Sequence, residues 1–258
     1  MPTNNVPASP RHRVSASPGY RRADWIAVVV AAVLPTLVTL AYFVLFAGDK
    51  SVVTLAIYGV GKAAQFALPV VWIFAVHRRK PTWTKPRVGA LATGAAFGAA
   101  VTAAMLLLYY AWLKPVGYFD GPGGPREMVI QKIADFGVTG LLSYAAVSLF
   151  YALVHSLLEE YYWRWFLFAE LRRLSSFVVA LVASNVAFAA HHFILLVVYF
   201  GWDSPATYLF TLAVATGGAF WTIVYHRTGS LAAVWLSHLL IDAGIFYIGY
   251  DLARGHLS

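Results

Sequence analysis

The chain has 258 residues, 60% of them apolar and only 12% charged, with a mean hydropathy of +0.68 and a formal net charge of +8. A soluble domain carries about a quarter charged residues, so one water-solvated core is excluded and lipid is the solvent for most of this surface. There is no cysteine, which excludes disulfides, thiolate metal sites and a cysteine nucleophile.

Residues 1–23 are polar, with Pro, Ser, Asn and several Arg, and read as a disordered basic tail. The apolar run that follows is long enough to span and lacks a small-residue cleavage site, so it is an anchor and not a cleaved signal. A membrane domain then fills residues 24–258. Its apolar runs predict helical spans at about 24–47, 53–77, 88–113, 138–171, 177–200, 205–225 and 230–250. The fold class is therefore all-α, a polytopic transmembrane bundle of about seven helices, with room for an eighth, re-entrant piece. Lys62 falls inside the second run, where a lysine is costly; it snorkels outward or the span begins later. The glycine- and proline-rich stretch from Val116 to Pro125 is a loop, and Arg126 to Phe136 has the look of a short helix at the outer interface. The fourth span is about 50 Å long by helix rise, too long for one perpendicular crossing. It tilts, extends beyond the bilayer, or breaks near Ser156.

The cations are distributed as in a membrane protein and not as in a nucleic-acid binder. Arg11, Arg13, Arg21 and Arg22, then Arg78, Arg79, Lys80, Lys85 and Arg87, then Arg172 and Arg173, and finally Arg227 all fall on one side of a seven-span arrangement. That side is expected to be cytoplasmic, with the N-terminus on it. The opposite loops and tail carry Lys50, Lys114, Arg126, Lys132 and Arg254. Trp25, Trp83, Trp112 and Trp202 lie near span ends, as an interfacial belt requires.

Three spans carry costly polar groups. Span four reads His155-Ser-Leu-Leu-Glu159-Glu160-Tyr-Tyr-Trp-Arg164, and each charge in it costs about 2.5–3.5 kcal/mol on insertion scales. Glu160 and Arg164 are four apart, share a face and can neutralise one another, which leaves Glu159, about 100° away, for another task. Span five carries Asn185, Phe188, His191 and His192; span seven carries His238 and Asp242 on one face. A lone intramembrane histidine is most often a helix contact, and His191 is assigned to that role or to the interface. Glu159, His192 and His238 lie at depths of about 18, 22 and 12 Å from the cytoplasmic ends of their spans, a spread that tilt absorbs. Costly groups brought to similar depth by three helices point to a site.

Glu159-Glu160-x-x-x-Arg164, Phe188-x-x-x-His192 and His238-x-x-x-Asp242 resemble the three motifs of the CAAX-protease and bacteriocin-processing family of intramembrane endopeptidases. The resemblance covers about residues 138–250, the motif-bearing core. It implies that Glu159 activates a water for attack on a peptide carbonyl and that His192 positions that water or polarises the carbonyl. It also implies that His238 and Asp242 stabilise the oxyanion, while Glu160 and Arg164 hold the helix and orient Glu159. The chemistry is coherent, because a carboxylate stripped of water is a better base and fixed polar donors stabilise an oxyanion. The family often has Asn where this chain has Asp242; an ionised aspartate would repel an oxyanion, so Asp242 is protonated or orients His238.

Two alternatives stand beside this reading. Glu159, His192 and His238 could bind zinc and leave a position for water, although the pattern H-E-x-x-H is absent; no metal is the favoured expectation. The same cluster would also serve a cation or proton transporter or channel, or sit inside a catalytically silent membrane scaffold. The expected partners are the bilayer and a membrane-associated or C-terminally tailed protein or peptide, with no nucleic acid.

Overall fold

A computed structural model describes residues 18–49, 51–80 and 84–257. Most of the expected tail, Lys50 and the expected interfacial Trp83 lie outside the described residues. Eight helices are present, and no strand among the described residues. They are α1 (Arg21–Leu45), α2 (Val52–Val76), α3 (Val88–Leu113), α4 (Pro125–Asp135), α5 (Leu141–Leu174), α6 (Phe177–Phe200), α7 (Pro205–Thr228) and α8 (Leu231–His256). All but α4 are long and apolar enough to cross a membrane.

The apolar runs placed the spans to within a few residues, with one correction. The helix of α1 begins at Pro18, inside the segment read as tail. Proline suits a first helical turn, and a helix leaving lipid needs no apolar residues, so polarity did not mark its end. The eighth helix, α4, is the short one expected at Arg126 to Phe136, with Pro125 at its first position, and no further, re-entrant helix is present among the described residues. Helix starts carry their own signals: the Ser51, Ser176 and Ser230 side chains each accept from a backbone N–H three residues on.

α5 does not break near Ser156. It runs continuously, but its backbone widens to i→i+5 turns over Phe150–His155 and Tyr161–Phe168, leaving one ordinary turn, Ser156–Glu160, between them. Widened turns re-aim the side chains that follow and recur at functional sites. α5 is central: it touches α1, α2, α6, α7 and α8, while α8 lies along α3, and α6 along α7.

The molecule is apolar outside and polar within. Val52, Val88 and Leu142 are more than 80% exposed. Gln65, Glu159, Glu160, Arg164, Thr222 and Ser237 are buried. In lipid, close backbone approach and hydrogen bonds take over from hydrophobic burial in holding helices together. Gly94 and Gly98 let α8 run against α3: a Cβ at Gly98 would stand 2.7 Å from the Ser237 carbonyl oxygen, and one at Gly94 would strike the Ala233 backbone. Thr102 adds a 2.9 Å hydrogen bond to the Leu240 carbonyl. This contact fixes the height of Ser237 and of His238 beside it.

Pro35 inside α1 has no N–H for the Ala31 carbonyl, and the Tyr162 hydroxyl of α5 supplies the missing donor at 2.7 Å. At the basic side, ion pairs join helix ends: His77 with Asp24 at 2.5 Å, Arg79 with Glu170 at 2.5 Å, and Arg173 with both Glu170 and Asp24. The start of α1 and the ends of α2 and α5 therefore share one face of the bundle. At the other face Tyr109 of α3 and Lys114, just past its end, bind Asp251 of α8.

Candidate active site

Glu159 and Glu160 sit on the ordinary turn between the two widened stretches of α5, both buried, and face different partners. Glu160 Oε1 accepts from Arg164 Nη1 at 3.0 Å and from His238 Nδ1 at 2.7 Å. The arginine also donates to the Gly218 carbonyl at 3.2 Å and lies 4.5 Å over the Phe188 ring and 5.0 Å over that of Trp221. A Cβ on Gly218 would stand 3.0 Å from Arg164 Nη2 and 2.9 Å from Phe188, so glycine leaves room for this docking. The pair expected from the i,i+4 spacing is present.

Glu159 spends its oxygens elsewhere. Its Oε1 is 3.4 Å from His191 Nε2 on α6, and its Oε2 is 3.7 Å from His238 Nε2 on α8. Asp242 Oδ1 is 3.5 Å from the same His238 nitrogen. His192 Nδ1 meets the Phe188 carbonyl at 2.9 Å. A carbonyl only accepts, so Nδ1 carries the hydrogen and Nε2 is left available. By the same logic His238 Nδ1–H donates to Glu160, and a second proton on Nε2 would make the ring an imidazolium.

Aromatic rings hold these groups at fixed angles. His238 stacks on Trp221 at 4.4 Å between centroids, and the Trp221 indole N–H donates to Ser237 at 2.9 Å. His191 lies parallel to Trp163 at 5.4 Å. Phe188 packs edge-on against His191, His192 and His238 while its carbonyl orients His192, which accounts for its place in the motif. Glu159, Glu160, Arg164, His191 and His238 are buried; His192 and Asp242 are half-buried and form the open side of the cluster.

The structure thus brings all six expected residues, Glu159, Glu160, Arg164, His192, His238 and Asp242, into one cluster, and amends three expectations. Of the two roles expected of His191, the structure keeps the helix contact and drops the interface: it is buried and aimed at Glu159. The oxygen nearest the His238 ring belongs to Glu160, so Glu160 orients that ring and Asp242 sits at its other nitrogen. The expected zinc trio of Glu159, His192 and His238 is not the group that converges. Donor atoms of Glu159, His191 and His192 lie within 4.8 Å of one another instead. That trio fits zinc imperfectly, because His191 Nδ1 is buried without a hydrogen-bond partner, whereas a zinc-bound histidine almost always anchors its second nitrogen.

Residues 141–244, which carry Glu159 through Asp242, match the family model of type II CAAX prenyl endopeptidases of the Rce1-like kind. This part of the chain is similar to the CAAX proteases. The match spans the four C-terminal membrane-crossing helices, and the seven long apolar helices make the protein an integral, multi-pass membrane protein. No curated protein and no solved structure gives a significant match to the chain.

Proposed function

We propose that this protein is a CAAX-type intramembrane endopeptidase that cuts membrane-associated or C-terminally tailed substrates with a water activated by Glu159, from a site reached on the cytoplasmic side. The observation that carries the reading is the division of labour between adjacent acids. Glu160 is committed to Arg164 and His238, whereas Glu159 meets only histidines from two other helices. Water held between Glu159 and the free nitrogen of His192 loses a proton to the carboxylate as its oxygen attacks the scissile carbonyl. Nε2–H of a doubly protonated His238 donates to the developing oxyanion, with protonated Asp242 at its side. Collapse of the tetrahedral intermediate breaks the C–N bond, and the proton on Glu159 passes to the leaving amine. Three histidines and a carboxylate within one buried cluster also supply the donors a zinc enzyme needs, and the convergence of Glu159, His191 and His192 favours that as the second reading.

The test is digestion of a proteome-derived membrane-peptide pool by purified protein, read by mass spectrometry. Wild-type protein should generate new termini at defined sites, and Glu159→Gln should lower their rate of formation by about 10²–10⁴ while remaining folded. Near wild-type cleavage by the variant removes Glu159 from the mechanism.

A further inference from the structure

Lys62 of α2 is an ammonium inside a span, and the cluster described above makes no use of it. Its Nζ donates to Gln65 Oε1 at 3.3 Å and stands 5.9 Å over the ring of Tyr58 and 5.8 Å over that of Phe66. No carboxylate lies within 4 Å of it among the described residues, whereas the buried Arg164 is paired with Glu160. Gln65 is itself buried, so an amide holds the ammonium from one side and rings flank it. Transferring an ammonium into lipid without a counter-charge is costly, which marks Lys62 as a group kept for a purpose.

Its position says which. Phe66 meets His155 and Tyr162 of α5 edge-on, at 6.2 Å in each case, so Lys62 lies on the face of α2 that is turned toward α5. His155 is one helical turn before Glu159, and Lys62 is within electrostatic reach of both. The ends of α2 and α5 are joined at the basic face by Arg79 and Glu170. Counted from those ends, Val76 and Leu174, Lys62 and Glu159 both lie about 21–23 Å deep by helix rise. The ammonium and the proposed base therefore stand at one level, across the α2–α5 seam.

We propose that Lys62 binds the C-terminal carboxylate of the substrate and so sets the distance from the chain end at which the protein cuts. This rests on the endopeptidase reading of the cluster. A substrate cut within a few residues of its end must bring its own terminal carboxylate into the same low-dielectric region as the scissile bond. That anion needs a counter-charge there, and Lys62 needs an anion. The match makes the enzyme a reader of free chain ends, and a peptide passing through without a terminus nearby leaves the ammonium unsatisfied.

The experiment uses two fluorescent peptides, one ending in a farnesylated cysteine and three apolar residues, the other an unprenylated apolar tail. Each is made as a free acid and as a C-terminal amide. Binding to Glu159→Gln protein in nanodiscs is measured without turnover, and cleavage is measured with the wild type. For at least one peptide the acid should bind about 30-fold or more tighter than its amide, as expected for a desolvated charge pair. Lys62→Met and Lys62→Gln, placed in the Glu159→Gln background, should abolish that difference, and Lys62→Arg should keep most of it. Equal retention of acid and amide forms, including no retention of either, overturns the assignment, as does a preference that survives both neutral substitutions. Cleavage without acid preference sinks Lys62 alone. Acid-selective, Lys62-dependent binding with no cleavage of any peptide upholds Lys62 and overturns the endopeptidase reading.

Discussion

Glu160 Oε1 receives two donors, Arg164 and His238, so one buried oxygen ties the ion pair of α5 to the histidine of α8. Arg164→Ala would remove that carboxylate's guanidinium partner, leaving it His238 alone, and would release the Gly218 carbonyl as well. Breaking a buried pair from one side costs about 3–5 kcal/mol, and the loss should appear as a lower unfolding temperature and poor yield in detergent. A variant as stable as wild type but inactive would place the arginine in the chemistry instead. The Glu160–Arg164 pair was legible in the sequence because helical spacing alone puts residues four apart on one face. The role of His191 was not. In a lipid-facing helix such as α6 nearly every position is apolar, so there is no polar face to say which of two adjacent histidines points inward. Glu160 displaced Asp242 as the orienting partner of His238 for a similar reason: periodicity sees contacts within a helix, and 2.7 Å across two helices is invisible to it.

At the scale of elements, the spans were legible because twenty apolar residues have one inexpensive conformation in lipid. Their packing was only partly so. Gly94 and Gly98, four apart in α3, carry the small-residue signature of close helix approach, and α8 fills it. The bond from Tyr162 to Ala31 follows from Pro35, but which side chain answers a proline's freed carbonyl depends on the neighbouring helix. Tyr162→Phe leaves that carbonyl without a donor in a water-free setting. The expected cost is about 1–3 kcal/mol, read as a fall in thermal stability in detergent, with turnover per folded molecule retained. Unchanged stability would mean that another group takes over the carbonyl. The widened turns of α5 have no sequence signature that would have placed them, and they are what isolates the Glu159–Glu160 turn as a unit.

Across the whole molecule, charges collect in three layers. An ion-pair network closes the basic face through Asp24, His77, Arg79, Glu170 and Arg173, a second joins Lys114 to Asp251 at the far face, and the Glu159 cluster lies between them. The outer two couple span ends and hold the middle layer at a fixed depth, so the groups proposed to be catalytic meet although they come from α5, α6 and α8. Two mechanisms share those groups, and they differ in whether Glu159 takes a proton or holds a metal. The ligand inventory favours the proton: spending Glu159 on a metal leaves Glu160, already bound to Arg164 and His238, as the nearest remaining acid on α5. The direct measurement is metal content by elemental analysis of purified protein, paired with its turnover before and after a strong chelator. If Glu159 is the base, zinc should be well below one per chain and turnover should be unchanged by chelation. One tightly held zinc per chain, with activity lost on chelation and restored by zinc, would contradict it.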